Sequence, residues 1–408
     1  MTILAAARPA PDSGPPLWHA ALAGLIALLV GIGLSRFGYA PLVPALIQEG
    51  WFTPAQAGFL GATNLAGYLV GALAARRTAR RLPARGLMRG ALLVATACFF
   101  ACAFPLGLEW YLVWRLASGL VGGVLMVLAA PAVLALAPPR LRGRIAGILF
   151  TGVGLGIALS GTLVPWLMRF GLRAAWLSLG VASALLTALA WRGLPQAVRD
   201  PAALAPAAAS PEGEPPAGGA RLAPAILLLL IAYGCSAVGF VPHTVFWVDY
   251  VARGLGRGLA AGGTQWVLVG LAAACGPLLA GLLADRIGFG ASLRLVLFAN
   301  AAAVALPLVS TAPWALSLSS IGVGCLAIGT VSLASGRVSE LVPAEHARQV
   351  WSWLTVAFSV LYAGMGYVLS LVFARTGSYG VLFGVGAAAL VIGGLLDFAG
   401  SRTEGAAP

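Results

Sequence analysis

Gly31 to Leu46 reads GIGLSRFGYAPLVPAL and places an arginine, Arg36, in the middle of a stretch otherwise fit for lipid. A charge at the bilayer centre costs at least about 2.5–3.5 kcal/mol on insertion scales, so it normally faces a protein interior or a watery cavity. Tyr39 lies three residues on and shares a helical face with Arg36. Gly31, Gly33 and Gly38 let a neighbouring backbone approach, and Pro41 and Pro44 loosen the C-terminal end of the helix. This pattern points to a stretch that lines a solute pathway. An arginine held structurally by backbone carbonyls is the competing reading.

Other polar side chains sit in similarly apolar surroundings. In GATNLAGYLVGAL (61–73), Asn64 and Tyr68 are one helical turn apart, while Gly67 and Gly71 form a small-xxx-small seam on an adjacent face. Asn64 serves equally well as a bond to a neighbouring helix. Arg115 lies in WRLASGLVGG with Gly119 four residues on, where contact with solute and helix packing remain alternatives. Further along, Tyr233, Phe240, Thr244 and Trp247 recur at helical spacing, with His243 beside Thr244. A lone intramembrane histidine is a proton acceptor or a satisfied interhelical donor. Trp247 and Trp266, near span ends, are expected in an interfacial belt. Asp249, Glu340 and Asp397 are the only acids at span edges and none lies at a span centre, so no carboxylate is assigned to proton coupling. Asp249 and Arg253 are spaced for an exposed ion pair.

The elements that must hold these residues follow from composition. Of 408 residues, 60% are hydrophobic and 9% charged, far from the quarter or so expected of a soluble domain. Apolar runs of membrane length recur throughout, which makes the chain a polytopic membrane protein. Twelve spans are expected, at about 18–47, 55–75, 86–106, 110–136, 145–167, 173–192, 223–250, 260–284, 291–309, 314–338, 348–373 and 379–399. All 25 basic residues are arginines, and the formal net charge is +13. Eighteen fall in the tails and even-numbered junctions, five in odd-numbered junctions and two (Arg36 and Arg115) within spans. Both termini are therefore expected in the cytoplasm of a bacterial inner membrane. By helical rise Arg36 then lies about 16 Å, and Arg115 about 8 Å, inside the outer ends of their spans.

Residues 193–222, with PAALAPAAASPEGEPPAGG at their heart, read as a flexible cytoplasmic linker. They divide a bundle at 18–192 from a second at 223–399, between a tail at 1–17 and another at 400–408. GIGLSRF (31–37) and GCSAVGF (234–240) occupy matching places in the two halves. Two repeated six-helix halves describe a secondary transporter with its site between them near the midplane. The arginines sit in short loops rather than on one basic face, which argues against a nucleic-acid partner. The three histidines (His19, His243, His346) are scattered and the five cysteines lack metal-site spacing, so no enzyme, cofactor or metal site is expected.

This plan resembles the major facilitator superfamily. GLLADRIG (281–288) is similar to its G-x-L-x-D-R-x-G gating motif, carried here by Gly281, Asp285, Arg286 and Gly288. The matching first-half loop, GALAARRTARR (71–81), has Ala75 where the acid would stand. Arg115 and Gly119 resemble the superfamily's R-x-x-x-G element. RFGYAPLVP in the first span, NLAGYLVG in the second and YGCSAVGF in the seventh resemble the YbfB/YjiJ-type branch. The resemblance implies an all-α fold of twelve helices in two pseudo-symmetric bundles. It also implies a monomeric secondary transporter working by alternating access in contact with membrane lipids, with a proton as one candidate coupling ion. The expected substrate is a small organic molecule, anionic or polar, bound by Arg36, Tyr39, Asn64, Tyr68, Arg115, Tyr233, His243 and Thr244. Efflux of apolar or cationic compounds, and a receptor without transport, are the alternatives.

Overall fold

Without water in the bilayer core, backbone amides and carbonyls must bond within their own segment, and the apolar runs accordingly become helices. The computed structural model describes residues 15–79, 81–195 and 224–404, so most of the expected linker and the ends of both tails lie outside the described residues. Among the described residues, twelve helices are long and apolar enough to span a membrane: Leu17–Gln48, Pro54–Ala79, Ala84–Ala101, Leu108–Leu134, Arg144–Phe170, Leu172–Ala190, Pro224–Gly254, Gly258–Ile287, Phe289–Val309, Pro313–Leu341, Gln349–Thr376 and Tyr379–Ser401. They are called spans one to twelve. Span three stops at Ala101 rather than near 106, because the chain turns through Pro105 to Gly107, whose φ of 93° suits glycine alone.

The two six-helix halves repeat each other's packing. Span two lies against four and span eight against ten; one packs on five and six as seven packs on eleven and twelve. Glycine makes the tightest seam possible. A Cβ at Gly71 or Gly119 would fall 1.9 Å from the carbonyl oxygen of Leu120 or Asn64, joining spans two and four backbone to backbone. The second half has the same device in spans eight and ten, where Gly276 meets the carbonyl of Cys325 and Gly324 that of Val269.

The halves touch through spans one and seven, two and eleven, and five and eight. These contacts gather away from the ends joined by the linker. On that far side Gly58 meets Ser370, Gly366 meets Ala62, and Gly161 faces Gly263. The Thr63 and Tyr367 hydroxyls are 2.7 Å apart. Towards the linker side, Gly147 of span five and Gly281 of span eight meet nothing within 4 Å. The far side is closed. Gly154 and Ala274 still touch, but seven residues nearer the linker side Gly147 and Gly281, on the same helical faces, meet nothing, so spans five and eight part in that direction.

Among the described residues, only spans one and seven depart from α geometry in mid-course. Span one is α-helical to Leu28, widens to a π turn over Leu29–Leu34 and tightens to a 3-10 segment over Phe37–Leu42 before Val43–Gln48. Span seven widens at Pro242–Phe246 and again at Tyr250–Gly254. Such turns release backbone groups from the regular ladder and often mark functional positions.

Candidate functional site

Arg36 stands at the joint between the π turn and the 3-10 segment of span one. The joint carries its half-buried guanidinium out among aromatic rings. Its central carbon lies 4.9 Å from the Phe37 ring centroid, 5.1 Å from Tyr68 and 4.9 Å from Tyr362. Ring faces are negative in their quadrupole and attract the cation. No acid pairs with Arg36 among the described residues, and its Nε has no hydrogen-bond partner. Phe37 and Tyr68 belong to the first half and Tyr362 to the second, so this cation sits where the halves meet. The Tyr362 hydroxyl donates to Thr244 Oγ1 at 2.7 Å, which ties the ring to span seven.

Behind Arg36 lies an enclosed polar node. Arg115 is 3% exposed, sits 4.1 Å from the Tyr39 ring centroid and donates from Nη1 to the Ser35 carbonyl at 2.9 Å. The turn of span one at Ser35 offers that carbonyl to span four. Asn64 donates to Ser118 Oγ at 2.7 Å and to the Arg115 carbonyl at 3.3 Å, and Tyr39 donates to the Ala57 carbonyl at 3.0 Å. Arg115, Tyr39 and Asn64 thus join spans one, two and four. Binding of an arginine by a backbone carbonyl, considered for Arg36, is the geometry of Arg115.

His243 is fully buried, stacked on Trp247 at 4.4 Å, with Nε2 2.9 Å from Ser319 Oγ. It sits in the packing of spans seven, ten and twelve, apart from Arg36. Tyr233 packs between Trp351 and Phe358, at 5.6 and 5.0 Å. Trp247 and Trp266 do not form an interfacial belt. Both are buried; Trp247 donates to Ser320 Oγ at 2.9 Å, and Trp266 packs against Phe37 across the halves. Asp249 is 2% exposed rather than part of an exposed pair, and it binds both Arg253, at 2.6 Å, and the Tyr379 hydroxyl, at 2.5 Å.

At the linker side, Asp285 and Arg286 are exposed and Gly288, at φ 79°, ends span eight. The first amide of span nine, Phe289 N–H, donates to Glu340 Oε1 at 3.0 Å, and Glu340 also pairs with Arg337 at 2.8 Å. Sequence reasoning named Glu340 as a span-edge acid but missed this role, in which it complements the positive end of span nine. It also overlooked Tyr362 and Phe358, although Trp351, Phe358 and Tyr362 follow each other at helical intervals of seven and four.

A family model described as "Uncharacterised MFS-type transporter YbfB" matches residues 28–398. No curated protein matches the chain in sequence. Among solved structures, the chain is similar to a bacterial homologue of the human lysosomal transporter Spinster in an inward-facing, unoccupied conformation. That alignment has 16% identity, covers 95% of this chain and 97% of that one, and gives a TM-score of 0.69. A D-xylose–proton symporter aligns with 15% identity over 94% and 96% of the two chains, with a TM-score of 0.71.

Proposed function

The chain belongs to the family of MFS-type transporters described by YbfB, and we propose that it moves a small organic anion by alternating access of its two halves. Membership makes it a multi-pass membrane transporter rather than an enzyme. The anion is our reading of Arg36. A half-buried guanidinium with rings around it and no acid beside it retains unfilled N–H donors, and a carboxylate would take them in a planar, bidentate contact. A cationic solute would meet repulsion there instead. Tyr68 would touch the solute directly, while Tyr39, Asn64 and Arg115 would hold the broken helix behind it.

The arginine excess on the linker side supports its assignment to the cytoplasm. With that assignment, the closed far side and diverging spans five and eight make this the cytoplasm-open form. Asp285 would then be a gate residue waiting for the opposite state. The test is flux into proteoliposomes with a panel of carboxylates and organic cations, for the native chain and Arg36→Ala. Carboxylate flux that disappears in the variant supports the reading. Flux of cations alone, or undiminished carboxylate flux in Arg36→Ala, overturns it.

A further inference from the structure

The rings around Arg36 do not end there. Tyr362 stacks on Phe240 at 5.7 Å with 23° between planes and meets Phe358 at 5.6 Å; Phe358 meets Tyr233 at 5.0 Å, and Tyr233 meets Trp351 at 5.6 Å. Spans seven and eleven thus carry a continuous file of rings from Arg36 towards the linker side, the side on which spans five and eight diverge.

We propose that the carried anion is aromatic, its acidic group meeting Arg36 and its ring joining the file at Tyr68, Phe358 and Tyr362. This rests on Arg36 being the anion site. Three ring centroids lie within about 5 Å of the guanidinium carbon, so whatever is attached to a carboxylate bound there must lie against rings. Aromatic pairs gain beyond the area they bury, through offset or edge-to-face contact. Phe358 and Tyr68 are half-buried and keep surface to offer, while the bond to Thr244 fixes the plane of Tyr362. A ring cluster of this kind would by itself suit an organic cation. Here Arg36 already occupies the ring faces, and no acid among the described residues stands beside it to offset a second positive charge. An aromatic anion satisfies both the charge and the rings.

The test is calorimetric titration of the purified full-length protein with two matched pairs of acids and one cation. Benzoate is set against cyclohexanecarboxylate, 2-naphthoate against its fully saturated counterpart, and benzylammonium is the cation. The native chain should bind each aromatic acid about two- to tenfold more tightly than its saturated partner, the range that ring–ring contact supplies. Benzylammonium should not bind. Tyr362→Leu should level each pair while still binding both acids, and Tyr362→Phe should keep the preference. Equal affinity within both pairs, or a preference for the saturated acids, overturns the aromatic assignment and leaves Arg36 as an anion site. Binding of neither acid in either pair also overturns it, and flux of other carboxylates then decides separately on Arg36. Should benzylammonium bind while every acid fails, both readings fall.

Discussion

Spans one and seven open the two halves and both widen into a π turn in mid-course, but at that mid-course break only span one carries a charge. At the second widened turn of span seven, Arg253 is neutralised by Asp249. In span one the turn presents the Ser35 carbonyl to Arg115 and leaves Arg36 among rings. In span seven Pro242 begins the widened turn and His243 beside it is stacked and bonded within its own half. The repeat therefore duplicates a backbone device without duplicating its chemistry. The first half supplies the cation, and the second supplies rings that reach across to it. Such division suits alternating access, because a solute held by groups from both halves feels their relative motion.

The largest effect should come from exchanging the two breaks' roles. Arg36→Ala is expected to abolish carboxylate flux in proteoliposomes, and Arg36→Lys to weaken apparent affinity about tenfold through loss of bidentate geometry. His243→Asn, which keeps a polar partner for Ser319, should retain most of the flux. If His243→Asn proved as damaging as Arg36→Ala, the two breaks would be chemically equivalent after all.

A second comparison sets the glycine seams side by side. Gly119→Val places methyl groups where the Asn64 carbonyl already sits, and Gly324→Val does so against the Val269 carbonyl. Each should cost about 1–3 kcal/mol of stability by overpacking, read as a lowered unfolding temperature in detergent. Similar losses at both would show that the halves repeat energetically as well as geometrically. A loss at one alone would show that one half carries the fold.

Much of this architecture was legible from local pattern. Apolar length gave twelve spans, and glycines four apart in span two gave a seam, because both depend on residues close in sequence. Arg36 was legible because a charge in lipid needs a reason. Its partner Tyr362 was not, since the contact joins spans one and eleven and no local periodicity encodes it. The tryptophans misled for a related reason. Trp247 and Trp266 lie near span ends, where an indole usually faces the interface, but both are buried. Trp266 is covered by Phe37 where the halves close on the far side, and Trp247 is packed inside its own half against His243, Phe383 and Ser320. The widened turn of span one starts at Leu29, upstream of both prolines, so proline positions alone could not place it.

The halves also differ in what holds them together at either end, and smaller effects probe this. On the far side the Thr63 and Tyr367 hydroxyls link spans two and eleven. Tyr367→Phe removes one hydrogen bond, worth about 1 kcal/mol, and should shift the population about fivefold away from the far-closed form. Labelling of a cysteine introduced at Ala62 from the far side would report the shift, and unchanged labelling would deny that the pair acts as a latch.

The linker-side counterpart should respond least. Asp285 is exposed and makes no hydrogen bond among the described residues, so replacing it costs this form nothing visible. Whatever it stabilises belongs to the opposite state, in which the linker-side ends meet and a carboxylate could bind helix-end amides or an arginine. Removing the charge without changing the shape, as in Asp285→Asn, therefore raises the free energy of the linker-closed form alone. Exposed ionic contacts contribute about 0.2–1 kcal/mol, so the population should move towards the present form by up to about fivefold. The first half has Ala75 at the matching position and offers no equivalent contact, which makes Asp285 the one acid of the paired loops on which closure would depend. A cysteine at Gly147, in the region where spans five and eight diverge, should label faster from the linker side in Asp285→Asn. Equal labelling, with turnover unchanged, would mean that both loops are topogenic and that the halves close on the linker side without a gate from this motif.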